Sequence, residues 1–193
     1  MRRIGVFGGT FDPPHVGHLV TAVNVRHALA LDRLLLVVAN DPWQKTGTRE
    51  LSPAEDRMAM VAAAVADVEG IEASRIEIER GGTSYTAETL AALQVIEPEA
   101  ALYLVLGSDA AAGLLTWERV EEVRDLATVV VVTRPGAEHG APARGWRWLR
   151  VETPRLEVSS TDLRARVADG RPLDYLLTPA VISCIDDRRL YVD

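Results

Sequence analysis

The sequence predicts an α/β fold in which one doubly wound parallel sheet carries helices on both faces. Short, continuously apolar runs recur along the chain, as is typical of strands that are buried on both sides. Segments with helical spacing or capping residues separate these runs, and strands that alternate with helices form parallel sheets through right-handed crossovers. Such sheets bind ligands beyond the carboxyl ends of their strands, so the loops after strands are the places to look for a site.

Three strands are predicted in the first half of the chain. Residues 3–7 and 34–39 form short apolar runs that indicate buried strands, whereas residues 75–79 alternate polar and apolar side chains and indicate a strand with one exposed face. Helical spacing predicts a helix over residues 19–29. A second helix is predicted from Ser52 to about residue 67, because serine, proline and glutamate occupy its first positions. Its expected core face consists of Met58, Val61, Ala62 and Val65.

The second half repeats the alternation. Its predicted strands cover residues 102–106, 128–133 and 146–151. Its predicted helices cover residues 87–96, a segment broken near Trp117, and residues 162–168 and 179–187. No long linker divides these elements, so we expect one domain over residues 1–193, with a small helical part from about residue 160.

Composition limits the class of protein. The formal net charge of -7 argues against a nucleic-acid surface, which needs a basic face. The apolar runs are too short to span a bilayer, and residues 1–3 lead directly into a strand instead of a signal-peptide core. Cys184 is the only cysteine, which excludes an intramolecular disulfide and a thiolate metal cluster. We therefore expect a soluble, cytoplasmic protein that binds no nucleic acid and no membrane; the sequence leaves open whether it forms homo-oligomers.

A glycine-rich loop with two histidines follows the first predicted strand. It reads Gly8-Gly9-Thr10-Phe11-Asp12-Pro13-Pro14-His15-Val16-Gly17-His18. Glycines let the backbone turn sharply and let an oxyanion approach the amides, and a helix N-terminus offers unpaired N–H groups and partial positive charge. His15 and His18 are three residues apart, so they lie on one side of a helix start, where each can donate a hydrogen bond. The loop is therefore predicted to bind phosphate.

Two further features favour an anionic ligand. Lys45, the single lysine among 21 basic residues, lies in the polar loop after the second strand, and lysine is a compact cation that can follow a moving phosphate. Ser159, Ser160 and Thr161 mark a second junction between a strand and a helix, whose amides offer another anion site. Both loops follow predicted strands and can open on the same edge of the sheet as the glycine-rich loop.

The glycine-rich loop matches neither of two common nucleotide-binding motifs. The chain has no Gly-x-x-x-x-Gly-Lys-Ser/Thr, and residues 5–10 do not fit Gly-x-Gly-x-x-Gly. His-x-Gly-His after a glycine-rich loop is instead the signature of the nucleotidyltransferase superfamily. Within it, the chain resembles bacterial nicotinate mononucleotide adenylyltransferases over nearly its whole length, which implies a Rossmann-like sheet. The resemblance rests on residues 8–18, Lys45, residues 83–86 with 88–90, residues 107–109 with Trp117, and residues 159–161 with Arg164.

The resemblance implies adenylyl transfer from ATP to nicotinate mononucleotide, which gives nicotinate adenine dinucleotide and pyrophosphate in NAD biosynthesis. A phosphate oxygen of the mononucleotide attacks the α-phosphorus of ATP, so catalysis requires alignment of two anions and neutralisation of phosphate charge. Mg²⁺ is expected to bind mainly through the substrate phosphates, without a protein metal site. The alternatives are a related nucleotidyltransferase with another phosphorylated acceptor and a nucleotide-binding sensor without turnover.

The residue chemistry and the resemblance together assign roles to individual positions. The expected catalytic residues are His15, His18, Lys45 and Arg164. The expected ATP-binding residues are Gly8, Gly9, Thr10, Phe11, Gly107, Asp109, Ser159, Ser160 and Thr161. The expected pyridine-nucleotide-binding residues are Asn40, Tyr85, Thr86 and Trp117. Among them, His18 is expected nearest the reacting group, and Trp117 is expected to stack on the pyridine ring.

Overall fold

A computed structural model of the protein describes residues 1–42, 51–133, 144–154 and 156–192. Lys45, to which the sequence assigns a catalytic role, lies outside these residues. The described residues form strands β1 (Arg3–Gly9), β2 (Arg33–Val38), β3 (Ile71–Ser74), β4 (Ala101–Gly107), β5 (Ala127–Thr133) and β6 (Trp148–Glu152). They also form helices α1 (Val16–Ala28), α2 (Ala54–Val65), α3 (Ile76–Arg80), α4 (Thr86–Ile96), α5 (Ser108–Ala112), α6 (Val120–Leu126), α7 (Ser160–Ala168) and α8 (Pro179–Arg188), with a 3₁₀ turn at Leu114–Thr116.

The six strands form one parallel sheet in the order β3-β2-β1-β4-β5-β6. In register, Gly9 of β1 lies beside Val38 of β2, and Val6 of β1 lies beside Leu104 of β4. From β1 the chain first builds the sheet in one direction, through β2 to the edge strand β3. It then returns to the other side of β1 and builds outward through β4 and β5 to β6. The carboxyl ends of β1 and β4 therefore flank the switch point at which sheets of this kind bind ligands.

Helices cover both faces of the sheet. One buried apolar cluster includes side chains from α1, α2, α7 and α8, and a second cluster includes side chains from α4 and α6. The predicted fold class, a doubly wound parallel sheet with helices on both faces, is confirmed. The longest described helix, α1, has 13 residues, and none of the described helices combines the length and apolar character needed to cross a bilayer.

The interior strand β2, which lies between β3 and β1, shows why a strand of this sheet is continuously apolar. Leu34 and Leu36 belong to one apolar cluster, whereas Leu35 and Val37 belong to the other. Successive side chains of a strand point to opposite faces, so a strand covered on both faces needs apolar residues at every position. Burial of each such side chain stabilises the fold by about 1.5–3 kcal/mol.

Residues 75–79 do not form the predicted strand. The edge strand is β3, which ends at Ser74, and α3 follows it. Ile76 packs against one apolar cluster and Ile78 against the other, which a short helix between two layers achieves as well as a strand does. Glu77 between them is buried and accepts a hydrogen bond from the hydroxyl of Thr89. An alternating pattern over five residues is compatible with a strand and with a short helix. The tertiary contacts of Ile76, Glu77 and Ile78 select the helix.

Helix α2 begins later than predicted, and its predicted core face is right for Val61 and Val65 but wrong for Ala62. Its N-cap residue is Pro53 instead of Ser52, and the Pro53 side chain makes no capping hydrogen bond. Ala62 is exposed and Met58 is only partly buried. The residues that α2 buries are Arg57, Met60, Val61, Ala64 and Val65. Because alanines and methionines are spread around the helix itself, apolar spacing alone does not define one narrow face, and the buried side includes the charged Arg57.

Candidate functional site

The glycine-rich loop connects β1 to α1 at the switch point. A Cβ on Gly9 would lie 2.7 Å from Cζ of Phe11, and a Cβ on Gly17 would lie 3.0 Å from Nδ1 of His15. A Cβ on Gly8 would meet no atom within 4 Å. Gly9 and Gly17 therefore allow rings to pack directly on the backbone, whereas Gly8 leaves space above the loop.

Four rings pack at the start of α1. The imidazoles of His15 and His18 stack with their centroids 3.7 Å apart, and Phe11 contacts His18 edge to face at 5.0 Å. Phe7 contacts Phe11 edge to face at 6.0 Å. The backbone N–H of His15 donates to Nδ1 of His18 at 3.1 Å, so a neutral His18 carries its proton on Nε2. The packing fixes both the position and the tautomer of His18.

The environment of His15 keeps its imidazole neutral. The residue is 9% exposed, and its buried Nδ1 atom has no hydrogen-bond partner among the residues that the structure describes. Burial lowers the pKa of His15 from 6.5 to about 4, and a backbone hydrogen bond opposes this effect only in part. Around neutral pH, His15 therefore adds no positive charge to the loop and can donate from only one ring nitrogen.

Acidification is expected to destabilise the fold through His15. The unfolded chain takes up a proton there near pH 6.5, whereas the folded chain does so only near pH 4, so lower pH favours the unfolded state between these values. At pH 5 the difference amounts to about 2 kcal/mol of the free energy of unfolding. Urea denaturation at pH 7 and pH 5 should show that His15→Gln reduces the loss by about this amount. Equal losses in both proteins would assign the pH dependence to other groups.

A cavity of 210 Å³ opens beside the loop, at the carboxyl ends of β1, β2 and β4. Helix α4 begins at the cavity, so its first backbone N–H groups, which lack partners within the helix, lie at the cavity wall. The predicted site residues that line the cavity are Gly8, Gly9, Thr10, Tyr85, Thr86, Gly107 and Trp117. This set contains residues predicted to bind ATP and residues predicted to bind the pyridine nucleotide, so the structure brings the two groups into one space.

The loop after β2 is tied to the segment that precedes α4. The backbone N–H of Asn40 donates to Oγ of Ser84 at 2.9 Å, and its side-chain Nδ2 donates to the carbonyl oxygen of Gly82 at 2.8 Å. The backbone N–H of Ser84 donates in return to the carbonyl oxygen of Asp41 at 2.9 Å. Asn40, predicted to contact the pyridine nucleotide, thus has a structural role at the edge of the cavity.

The C-terminal part of the chain holds the other side of the glycine-rich loop. Oγ of Ser160 donates to the carbonyl oxygen of Pro13 at 2.9 Å, and Nη1 of Arg164 donates to the carbonyl oxygen of Asp12 at 2.7 Å. The hydroxyl of Tyr191 donates to Oδ1 of Asp12 at 2.7 Å. Burial and the neighbouring Asp12 carboxylate raise the pKa of Tyr191 above its ordinary value. Two predicted phosphate-binding residues, Ser160 and Arg164, therefore also support the loop backbone.

Nine of the predicted site residues that the structure describes lie outside the cavity lining. They are Phe11, His15, His18, Asn40, Asp109, Ser159, Ser160, Thr161 and Arg164. Asp109 is exposed on α5. Ser159 is the N-cap residue of α7, where its hydroxyl accepts from the backbone N–H of Asp162 at 3.2 Å. The hydroxyl of Thr161 accepts from Nη2 of Arg164 at 3.3 Å. At the start of α7, Ser159 and Thr161 therefore bond within the helix region, and Ser160 makes the contact with the glycine-rich loop.

Comparison with known proteins identifies the family. Residues 6–166 match the family model described as cytidylyltransferase-like. A relative from Streptomyces coelicolor is 46% identical over 95% of this chain and 98% of its own length, and one from Saccharopolyspora erythraea is 44% identical over 98% of this chain and 90% of its own length. Both carry the name "Probable nicotinate-nucleotide adenylyltransferase". The chain belongs to the nicotinate-nucleotide adenylyltransferase family.

Two solved structures share the fold of this family member. Plasmodium falciparum nicotinic acid mononucleotide adenylyltransferase complexed with NaAD matches with a TM-score of 0.80 at 17% identity, over 99% of this chain and 98% of that chain. The same protein complexed with APC matches with a TM-score of 0.78 at 17% identity, over the same shares of both chains. At this identity the matches establish the fold. The family resemblance drawn from the sequence is confirmed.

The candidate site also contains residues to which the sequence assigned no role. Arg57 is 1% exposed and Glu77 lines the cavity, and Asp12, which belongs to the glycine-rich motif but was given no role, is 1% exposed. Arg57 lies three residues before Met60, and a charged residue on the apolar side of a predicted helix is a signal that could have drawn attention to it. The pair formed by Asp12 and Tyr191 joins positions 179 residues apart, and nothing in the sequence marks it.

Proposed function

We propose that this chain transfers the adenylyl group of ATP to nicotinate mononucleotide, which forms nicotinate adenine dinucleotide and pyrophosphate in NAD biosynthesis. The observation that carries the proposal is the 46% identity over 95% of the chain to a relative of that name. The geometry supports it, because a phosphate-binding loop and a cavity with an aromatic wall share one edge of the sheet. A reaction between two nucleotides needs both parts, the loop for the phosphates of ATP and the aromatic wall for the pyridine ring of the acceptor.

The site is suited to aligning two anions. The ATP phosphates would lie on the amides of the glycine-rich loop and at the N-terminus of α1, and the mononucleotide would lie between Thr86 and Trp117. A phosphate oxygen of the mononucleotide is already charged at neutral pH, so it needs no protein base to attack the α-phosphorus. The bond from that phosphorus to pyrophosphate breaks as the new bond forms.

His18 is proposed to contribute most of the side-chain stabilisation. Its neutral form carries a proton on Nε2, which can be donated to a phosphate oxygen that gains charge in the transition state. His15 would hold this tautomer through its backbone N–H and donate a second hydrogen bond. Lys45 and Arg164 are proposed as the cations that neutralise the remaining phosphate charge, and Asp109 as the group that binds the ribose of ATP.

Mg²⁺ is proposed to bind chiefly through ATP phosphate oxygens and water. Backbone amides at the start of α1 and one N–H of each neutral imidazole can donate hydrogen bonds, which suits phosphate. Within the described residues, no group of three or more His, Cys, Asp or Glu side chains could hold a metal ion. A loop of this kind is compatible with a metal ion that keeps most of its waters and enters the site bound to ATP. The ion would neutralise phosphate charge there.

The reaction can be tested directly by pyrophosphate release. Purified protein is incubated with ATP, Mg²⁺ and nicotinate mononucleotide, and the dinucleotide is identified by chromatography. Release and dinucleotide formation are the expected result. Release with phosphopantetheine but with no pyridine mononucleotide would support the related nucleotidyltransferase instead. Binding of ATP without release for any acceptor would support a sensor.

Trp117→Ala is expected to raise KM for the mononucleotide about fivefold, because a stacked ring contributes about 1 kcal/mol. KM for ATP should change little. Trp117→Phe keeps an aromatic face and should retain most of the affinity, and Trp148→Ala on the edge strand β6 serves as a control. If Trp117→Ala weakened both substrates equally, Trp117 would be a packing residue and not an acceptor contact.

A further inference from the structure

Arg57 lies beneath the two loops that meet at the cavity. It belongs to α2 and is 1% exposed. Its Nη1 atom donates to the carbonyl oxygens of Thr10 at 3.0 Å and Ala39 at 2.6 Å, and its Nη2 atom donates to that of Asn40 at 3.0 Å. Its Nε atom donates to the carbonyl oxygen of Ser52 at 2.9 Å. One guanidinium thus connects the loop after β1 to the loop after β2.

Packing alone does not require an arginine at this position. An apolar side chain of similar length could pack beside Met60 and Val61 without removal of a charge from water, which is unfavourable. The guanidinium adds donors in a rigid, planar arrangement, which a lysine ammonium does not reproduce. Three carbonyl oxygens bound to one rigid group are held at fixed distances from each other.

The connected loops form adjoining walls of the cavity. Thr10 and Ala39 both line it, and the backbone N–H of Ala39 donates to the carbonyl oxygen of Gly9 at 3.0 Å. Asn40 continues this wall to Ser84, which also lines the cavity. Arg57 therefore stands between the wall proposed to hold ATP and the wall that leads to the proposed acceptor site.

We propose that Arg57 is a positioning residue that sets the separation of these two walls and thereby aligns the phosphates of the two substrates. The proposal rests on the function proposed above. Because Arg57 is buried beneath the loops, it acts through their backbones and not by contact with a substrate. Its loss should therefore reduce turnover more than the binding of either nucleotide.

Two substitutions test this role. Arg57→Lys keeps the charge and Arg57→Met keeps the length, but neither can bridge the three carbonyl oxygens. In both variants, kcat per folded molecule is expected to fall about 10- to 100-fold, while Kd for each nucleotide measured separately changes less than about threefold. Val61→Ala is the matched control, because Val61 is fully buried on the same helix and lies among apolar side chains. It should lower the stability but leave kcat per folded molecule unchanged.

Amide hydrogen exchange provides a readout that does not depend on the reaction. The amide of Ala39 donates to Gly9 across the two connected loops, and the amide of Ser84 donates to Asp41 in the second of these loops. Both amides should exchange faster in Arg57→Lys than in the parent and Val61→Ala proteins. Unchanged exchange with unchanged kcat would overturn the proposal. If both Arg57 variants failed to fold, Arg57 would be a residue that the fold requires, and the proposal would also be overturned. A parent protein without turnover would contradict the proposed function, and the exchange rates would then decide on Arg57 alone.

Discussion

Replacement of His18 by alanine is expected to lower kcat by about 100- to 1,000-fold while the chain stays folded. His18 is partly exposed at the start of α1, and its Nδ1 atom is already engaged by the backbone N–H of His15. The Nε2 proton is therefore the one that His18 can donate to a phosphate oxygen. A donor placed in advance where charge increases acts on the transition state more than on the bound substrate.

The loss should appear in kcat and only weakly in KM for ATP. His27→Ala is the matched control, because His27 is an exposed histidine near the end of the same helix and should be dispensable. Circular dichroism and urea denaturation check that both variants are folded. Near-normal turnover of His18→Ala would contradict the proposed role and leave His18 as a residue that packs against Phe11.

Gly9→Ala is expected to cause the second-largest loss, about 10- to 100-fold in kcat with about 1–3 kcal/mol of stability. A Cβ at this position would lie 2.7 Å from the Phe11 ring, which is closer than packed atoms allow. Phe11 is 2% exposed and contacts both Phe7 and His18, so its ring cannot retreat without a shift of the His18 imidazole. The substitution should therefore affect stability and turnover together.

Gly8→Ala separates this steric effect from a general effect of alanine in β1. A Cβ on Gly8 has no neighbour within 4 Å, so the free energy of unfolding should stay close to that of the parent. Urea denaturation of both variants measures the difference. Equal stability of Gly9→Ala and Gly8→Ala would mean that the Phe11 ring adjusts freely and that the rings at the start of α1 are less tightly coupled than their contacts indicate.

The fold could be predicted well where each strand is covered on both faces. The run in β2 is apolar at every position because alternate side chains enter two different clusters. The prediction was wrong at residues 75–79, where the same alternation occurs in α3. For α2 it placed Val61 and Val65 correctly in the core, but it included the exposed Ala62 and missed Arg57, because the alanines and methionines of this helix do not define one narrow apolar stripe. In both places the pattern is compatible with two structures, and long-range contacts select one.

The candidate site could be predicted where the chemistry is local. Gly8, His15 and His18 lie within one short stretch, and their types alone indicate phosphate. Asn40 and Arg164 were predicted as ligand contacts, but their bonds to Gly82 and Asp12 show that each also supports a loop. Such roles depend on which carbonyl oxygens come near, which no spacing along the chain specifies.

By itself, the sequence determined the parallel sheet, the glycine-rich loop with its two histidines, and the family, because apolar runs, glycines and histidines act through neighbouring residues. Only the tertiary structure decided what holds that loop in place. Arg57 reaches it from α2, and Tyr191 reaches Asp12 from 179 residues away. Buried polar groups must find partners wherever the folded chain brings donors and acceptors together, so these contacts follow from the packed fold and not from local sequence.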